Sequence, residues 1–185
     1  MKVLFFLTST IGINTEMDCG HTVHLILFDP KARSLFQHEL KKLPAVISSE
    51  EDLDFSLRAD KLNREEFFSD PLRQSDFRQG QSAPFWRSLN DSNAKDSIML
   101  CTWNQKFHLP VLTRMCGDVF KVPAIHRNVL DMQQCALLQL WEKIPDIGGS
   151  FSMKSMLHAY GLEQELDKPK INHLWAIFSK FYYPS

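Results

Sequence analysis

Apolar residues fall along this chain in short blocks of two kinds. Val3–Leu7 is an unbroken apolar run that gives way to small and polar residues up to Gly12. Such a run, without alternation, predicts a strand covered on both faces. His21–Phe28 (HTVHLILF) predicts a second strand, and Asp29-Pro30 a turn after it. A return strand over Ala32–His38 completes a hairpin. Ser97–Thr102 (SIMLCT) predicts one more strand. Helical spacing takes over elsewhere. Leu109–Cys116 predicts a helix with Pro110 in its first turn. Val129–Lys143 gives the clearest helical pattern, with Leu130, Cys135, Leu138 and Trp141 in phase. Met153–Tyr160 predicts a helix with Gly161 at its C-cap, and Ile171–Phe181 a last amphipathic one.

The stretch at about 44–81 differs. It is charged and serine-rich with little sustained period, and it reads as a polar insertion. Ser48-Ser49-Glu50-Glu51 resembles a helix start with acids in the first turn, and Asn63–Phe68 a short helix. Arg73–Gln81 (RQSDFRQGQ) reads as an exposed loop, and Ala83–Leu89 as a helix turning Phe85 and Trp86 inward. No internal repeat is present. Strands and helices in this order predict an α/β domain.

Length and composition narrow the class. A chain of 185 residues fits one domain able to fold without disulfides or a structural metal. The formal net charge of −1 weighs against a strong general nucleic-acid binder, whose affinity comes from clustered cations, but not against a local basic groove. Cys19, Cys101, Cys116 and Cys135 show no metal-ligand spacing and are read as free thiols in a reducing compartment. The first apolar run is shorter than the roughly 7–15 residues of a signal-peptide core. No stretch reaches the roughly 18 apolar residues of a membrane span. A cytoplasmic protein is expected.

Three segments, in order, resemble one family. Val3–Gly12 (VLFFLTSTIG) resembles a motif in which a strand ends in Asp-any-Glu-Thr-Thr-Gly. Thr102–Leu112 (TWNQKFHLPVL) resembles one in which Asn-any-any-Phe-Asp-any-Pro-any-Leu opens a helix; Asn104, Phe107, Pro110 and Leu112 match. Ser152–Leu162 (SMKSMLHAYGL) resembles a segment that begins Ser-Leu and ends in a Leu-Gly turn. Between the last two, His126–Asp131 (HRNVLD) is similar to a His-any-Asp-Leu-any-Asp stretch. These are motifs of the DEDD-type 3′–5′ exonucleases related to the proofreading domain of family B DNA polymerases. The resemblance implies a ribonuclease-H-like fold, with a mixed central sheet flanked by helices and two Mg²⁺ held by carboxylates.

The departures bear on function. Aligning Gly12 with the motif glycine puts Leu7 at the first Asp, Ser9 at the Glu and His108 at the Asp of the second motif. The last family acid belongs beyond Gly161, where Ile171–Ser185 (INHLWAIFSKFYYPS) contains none. In the family this region runs on to a further covering helix. Two-metal hydrolysis needs carboxylates to hold two ions about 4 Å apart, and Mg²⁺ demands hard oxygen donors. Leu7 offers no donor, Ser9 a weak one, and His108 a nitrogen better suited to Zn²⁺ or Cu²⁺. No catalytic residue, cofactor or metal is therefore expected, and Mg²⁺ enters only if the chain is an enzyme after all. Glu16 and Asp18 could substitute, yet read better as solvated loop acids. Asp131 reads as a capping or surface carboxylate, or as a family acid outside the metal set.

The histidines are too scattered for one ligand set. His21 and His24 should face opposite sides of a strand because their spacing is odd. His158 and His173 are expected on helix surfaces. Asn104, Phe107 and His108 would line a retained nucleic-acid groove. Phe5, Phe6, Trp103 and Trp141 could stack on bases but read as core. Trp175, Phe178, Tyr182 and Tyr183 crowd the end of the chain and form a candidate partner surface, with packing on the chain's own core as the rival. The reading that results is one exonuclease-like domain over 1–185, catalytically inactive, acting as an adaptor or scaffold for a protein partner. The alternative is a 3′–5′ exonuclease or a non-catalytic nucleic-acid binder that keeps the groove.

Overall fold

The structure is a computed structural model and describes residues 1–13, 16–140 and 151–183. Five strands form one mixed sheet in the order β3-β2-β1-β4-β5. They are β1 (Lys2–Thr10), β2 (Gly20–Asp29), β3 (Ser34–Lys41), β4 (Ile98–Thr102) and β5 (Ile125–Asp131). β1 to β3 make an antiparallel meander, and β4 and β5 add in parallel to β1. The central position of β1 explains its apolar run: a strand paired on both edges and covered on both faces has nowhere to place polar side chains. Leu4 and Phe6 enter one core cluster, and Phe5 and Leu7 enter the other.

The polar stretch holds regular structure. It carries α1 (Glu50–Ala59), α2 (Arg64–Ser69), α3 (Pro71–Gln74) and a π-type turn (Arg78–Ser82) that runs into α4 (Ala83–Asp91). Ser49, Asn63 and Asp70 cap the first three through their side-chain oxygens. Of the exposed loop expected over Arg73–Gln81, residues 74–76 and 78–80 are exposed, but the segment is partly helical and Arg73 and Phe77 are buried. Arg73 is buried: one guanidinium nitrogen donates to the His21 carbonyl at 2.7 Å and to Thr22 Oγ1 at 3.1 Å, and the group lies 4.5 Å over the Phe67 ring. Its cation satisfies acceptors at the start of β2, which pins this stretch to the sheet.

α5 (Gln105–Cys116), α6 (Met132–Gln139), α7 (Met153–Ala159) and α8 (Lys170–Tyr182) complete the described helices. α5 begins four residues earlier than its pattern predicts, so Pro110 sits within the helix and not in its first turn. Its missing N–H leaves the Lys106 carbonyl without an i+4 donor. The helix predicted over Val129–Lys143 also needs correction. Val129–Asp131 ends strand β5, and the helix starts at Met132; the rest of that prediction, including Trp141, lies outside the described residues. His173 is buried on α8 and does not lie on a helix surface.

Candidate functional site

The site marked by the sequence lies where the C-terminal ends of β1 and β4 meet the start of α5. β1 and β4 run in parallel, so both chains leave the sheet at the same edge. This is where open α/β sheets place their ligands.

Leu7 is 3% exposed and belongs to the cluster of Phe5, Ile26, Cys101, Trp103 and Met132. Its side chain is part of the hydrophobic core. Ser9 lies two residues on, on the same face. Its Oγ is 3.3 Å from His24 Nε2, and His24 Nδ1 is 2.8 Å from Glu39 Oε1. The hydrogen bond from His24 holds the Glu39 carboxyl down at about 2. Ser9, His24 and Glu39 thus form a polar relay across three neighbouring strands.

His108 reaches the strand from α5. The Thr8 main-chain N–H donates to its Nδ1 at 3.0 Å, and Thr8 Oγ1 is 2.9 Å from the same atom. A ring nitrogen that accepts an amide proton carries none of its own, so the proton of the neutral ring is on Nε2. Burial pushes the His108 pKa down to about 4, with Lys170 and then His24 acting electrostatically in the same direction. His108 is thus joined to Thr8, which stands between Leu7 and Ser9 in the strand, but none of the three motif residues is set up as a ligand for a hard cation. Leu7 has no donor atom, the Ser9 hydroxyl is engaged by His24, and the His108 lone pair is directed at Thr8. The residues at the three motif positions do not fit Mg²⁺.

The other proposed acids are accounted for. Asp18 is paired with Lys42 Nζ at 2.6 Å. Glu16 is exposed. Among the described residues, no group of three or more His, Cys, Asp or Glu side chains is arranged to hold a metal ion.

Asp131 organises the corner. Its carboxylate accepts from the main-chain N–H groups of Asn104 at 3.2 Å, Gln105 at 2.9 Å and Gln133 at 3.0 Å. One side chain thereby satisfies orphan donors at the starts of both α5 and α6. The capping alternative of the sequence reading describes it. What the sequence hid is the second helix, which lies 26 residues away in the chain at Gln105. Asn104 stands at the turn in a left-handed conformation, φ 55°, which asparagine tolerates better than most residues. Phe107 is half-buried edge-on to the His108 ring, 5.0 Å between centroids.

The histidines separate as their chemistry requires. His21 is fully buried with Nδ1 2.9 Å from Thr22 Oγ1, and burial pushes its pKa down to about 3 despite Asp60 nearby. His38 is exposed and stacks on Phe85. His158 is exposed on α7.

The C-terminal aromatic stripe divides in two. Phe178 is buried edge-on to Phe5 at 4.8 Å, and half-buried Trp175 packs on Phe28 at 4.8 Å. Tyr182 and Tyr183 stay 46% and 47% exposed, edge to face with each other. Phe5, Phe6 and Trp103 are core residues, all buried.

The architecture has close counterparts among solved structures. The zinc-bound E. coli exonuclease I–single-stranded DNA complex superposes with a TM-score of 0.63 at 15% identity, over 99% of this chain and 41% of that one. Exonuclease I from Methylocaldum szegediense gives 0.63 at 14% identity, over 100% and 41%. A product-bound exonuclease I gives 0.60 at 14%, over 97% and 43%. The fold is ribonuclease-H-like. The chain spans about two fifths of the length of these exonuclease I chains. No protein-family model matches it, and no curated protein matches it by sequence.

Proposed function

We propose that this chain is a catalytically inactive exonuclease-like domain that serves as an interaction, adaptor or scaffold subunit of a protein complex. The observation that carries the reading is Leu7. It occupies the position at which the resemblance places the first metal-binding carboxylate, and it is packed into the core. Ser9 and His108, at two further ligand positions, are tied to His24 and Thr8. A two-metal mechanism has no carboxylate there to gather its ions.

A cytoplasmic location is part of this proposal. Among the described residues no helix is long and apolar enough to cross a membrane. The contact with a protein partner is assigned to Tyr182 and Tyr183, whose exposed rings extend the buried aromatic row of α8. Large aromatics supply much of the binding energy at interfaces. The test is complex formation in the native cell with tagged wild type and with Y182A/Y183A. Loss of a co-purifying partner at unchanged melting temperature supports the assignment. A partner retained by the double variant contradicts it.

The second reading, a 3′–5′ exonuclease or a nucleic-acid binder retaining the groove, draws on the neighbours, which include exonuclease I bound to a dT13 oligonucleotide and an exonuclease I/SSB-Ct complex. On that reading Asn104, Phe107 and His108 would line the groove, and Mg²⁺ would be the cofactor of the enzyme form.

A further inference from the structure

On the opposite side of the sheet from Leu7 lies a cavity of about 570 Å³ between the β2–β3 hairpin and α4. Its floor follows from the strand register. Leu25 pairs with His38 and Leu27 with Phe36, so two cross-strand pairs present their side chains to the same face. Phe85 and Leu89 of α4 close the other wall. This volume falls within the roughly 300–1,000 Å³ typical of small-molecule sites.

The wall contains an aromatic ladder. The His38 and Phe85 rings are 5.0 Å apart and 5° from parallel, and Phe36 continues the stack from His38 at 6.2 Å and 18°. Phe85 is held edge-on by Trp86 at 4.9 Å, and Trp86 Nε1 donates to buried Ser82 Oγ at 3.0 Å. One end of the ladder is therefore built into the core. The other end is Phe36, which is 61% exposed although it sits beside an apolar cavity. An exposed Phe at the end of a parallel stack offers a further ring a face to lie against.

Charge narrows the occupant. Of the charged residues on the lining, Lys2 is paired with Asp29 at 3.4 Å, and the Glu39 carboxylate is turned to the other face of the sheet, towards His24 at 2.8 Å and Lys41 at 3.6 Å. The site has no uncompensated charge to offer, and an ionised group taken into it would lose hydration without a partner. A neutral ligand is complementary to this wall. Ser88, Ser92 and Asn93 along the rim supply short polar groups able to meet heteroatoms at a ring edge.

From this geometry we propose that the cavity is a binding site for a neutral, planar, fused-ring aromatic small molecule that adds a rung to the Phe36–His38–Phe85 stack. The site is separate from the β1–α5 corner and does not depend on whether that corner is catalytically active.

The experiment titrates the full chain with N-phenyl-1-naphthylamine, a neutral dye that fluoresces in apolar surroundings, and compares wild type with F36A and S88W. Phe36→Ala removes the exposed rung. Ser88→Trp fills the cavity from an exposed helix position. The expected result is saturable binding at one site, weakened about tenfold in each variant, the scale of one lost aromatic stacking contact. Both variants should melt with wild type, because both positions are exposed. In competition, 2-naphthol should displace the dye at lower concentration than its saturated counterpart 2-decalol. Absence of saturable binding, an affinity unchanged in either variant, or equal competition by the two alcohols would overturn the proposal.

Discussion

The Thr8 amide donates its proton to His108 Nδ1 across 3.0 Å, joining the central strand to the helix that follows β4. The bond exists only while the ring is neutral, because a protonated Nδ1 would set two donors against each other. Burial holds the folded-state pKa at about 4, below the roughly 6.5 of an unfolded histidine. The unfolded chain therefore binds the proton first as the pH falls. This contribution to stability is fully present above about pH 6.5 and is lost as the pH drops towards 4. His21, depressed to about 3, acts in the same direction. Asparagine at position 108 keeps an acceptor without a titration. Wild type should lose stability between pH 7 and pH 4.5 by an amount on the order of 2 kcal/mol more than H108N, with partial exposure reducing the full linkage value. Urea midpoints across that range measure it, and parallel pH profiles would show that the ring is not held neutral.

Asp131 ties two helix starts to the end of β5. Replacing it with alanine leaves three main-chain donors without their acceptor, those of Asn104, Gln105 and Gln133. A single lost cap costs about 0.5–2 kcal/mol, and this side chain caps two helices. D131A should lower stability by about 2–4 kcal/mol, and D131N by less, because one oxygen remains. Thermal melting reads the effect as a fall of roughly 2–4 °C per kcal/mol for a domain of this size. A D131A chain that melts with wild type would remove Asp131 from this role.

Leu7 is a core residue at a position where the resemblance calls for a carboxylate. In L7D the new acid meets Phe5, Ile26 and Trp103 of the apolar cluster, with His24 as its cross-strand neighbour on β2. Desolvation raises the pKa of such a group. The folded state then binds its proton more readily than the unfolded state, so this variant should be more stable near pH 4.5 than at pH 8, relative to wild type. The loss at pH 8 should reach several kcal/mol. Adding S9E and H108D should not create Mg²⁺-dependent nuclease activity, since the fourth family acid is still absent from Ile171–Ser185. Hydrolysis by the triple variant would reveal a ligand elsewhere in the chain.

Much of the fold was legible from local pattern. The apolar run of β1, the hairpin after Asp29-Pro30 and the caps at Ser49 and Asn63 are decided by neighbours in sequence. The β5–α6 boundary was not legible. Leu130, Cys135 and Leu138 stay in helical phase, while β5 is an edge strand with exposed Arg127 and Asn128 and so lacks the apolar signature of a buried strand. Arg73 was hidden for a different reason. A charged residue in a polar segment reads as solvated, and the acceptors on His21 and Thr22, distant in sequence, together with the ring of Phe67 under it, make its burial favourable. At the site, spacing brought Leu7, Ser9 and His108 to one corner. The hydrogen bonds that engage Ser9 and His108 come from His24 on β2 and from Thr8, which stands at an unspecified position of the first motif.

The proposal that this chain lacks two-metal chemistry is tested most directly by a nuclease assay. The purified 185-residue chain, in molar excess over 5′-labelled single-stranded and double-stranded DNA and RNA, is incubated with Mg²⁺ or Mn²⁺ near neutral pH. The predicted result is no shortening from the 3′ end beyond that seen with a mock preparation. Metal-dependent 3′–5′ degradation by the wild type, abolished by Glu16→Ala or Asp18→Ala, would contradict it.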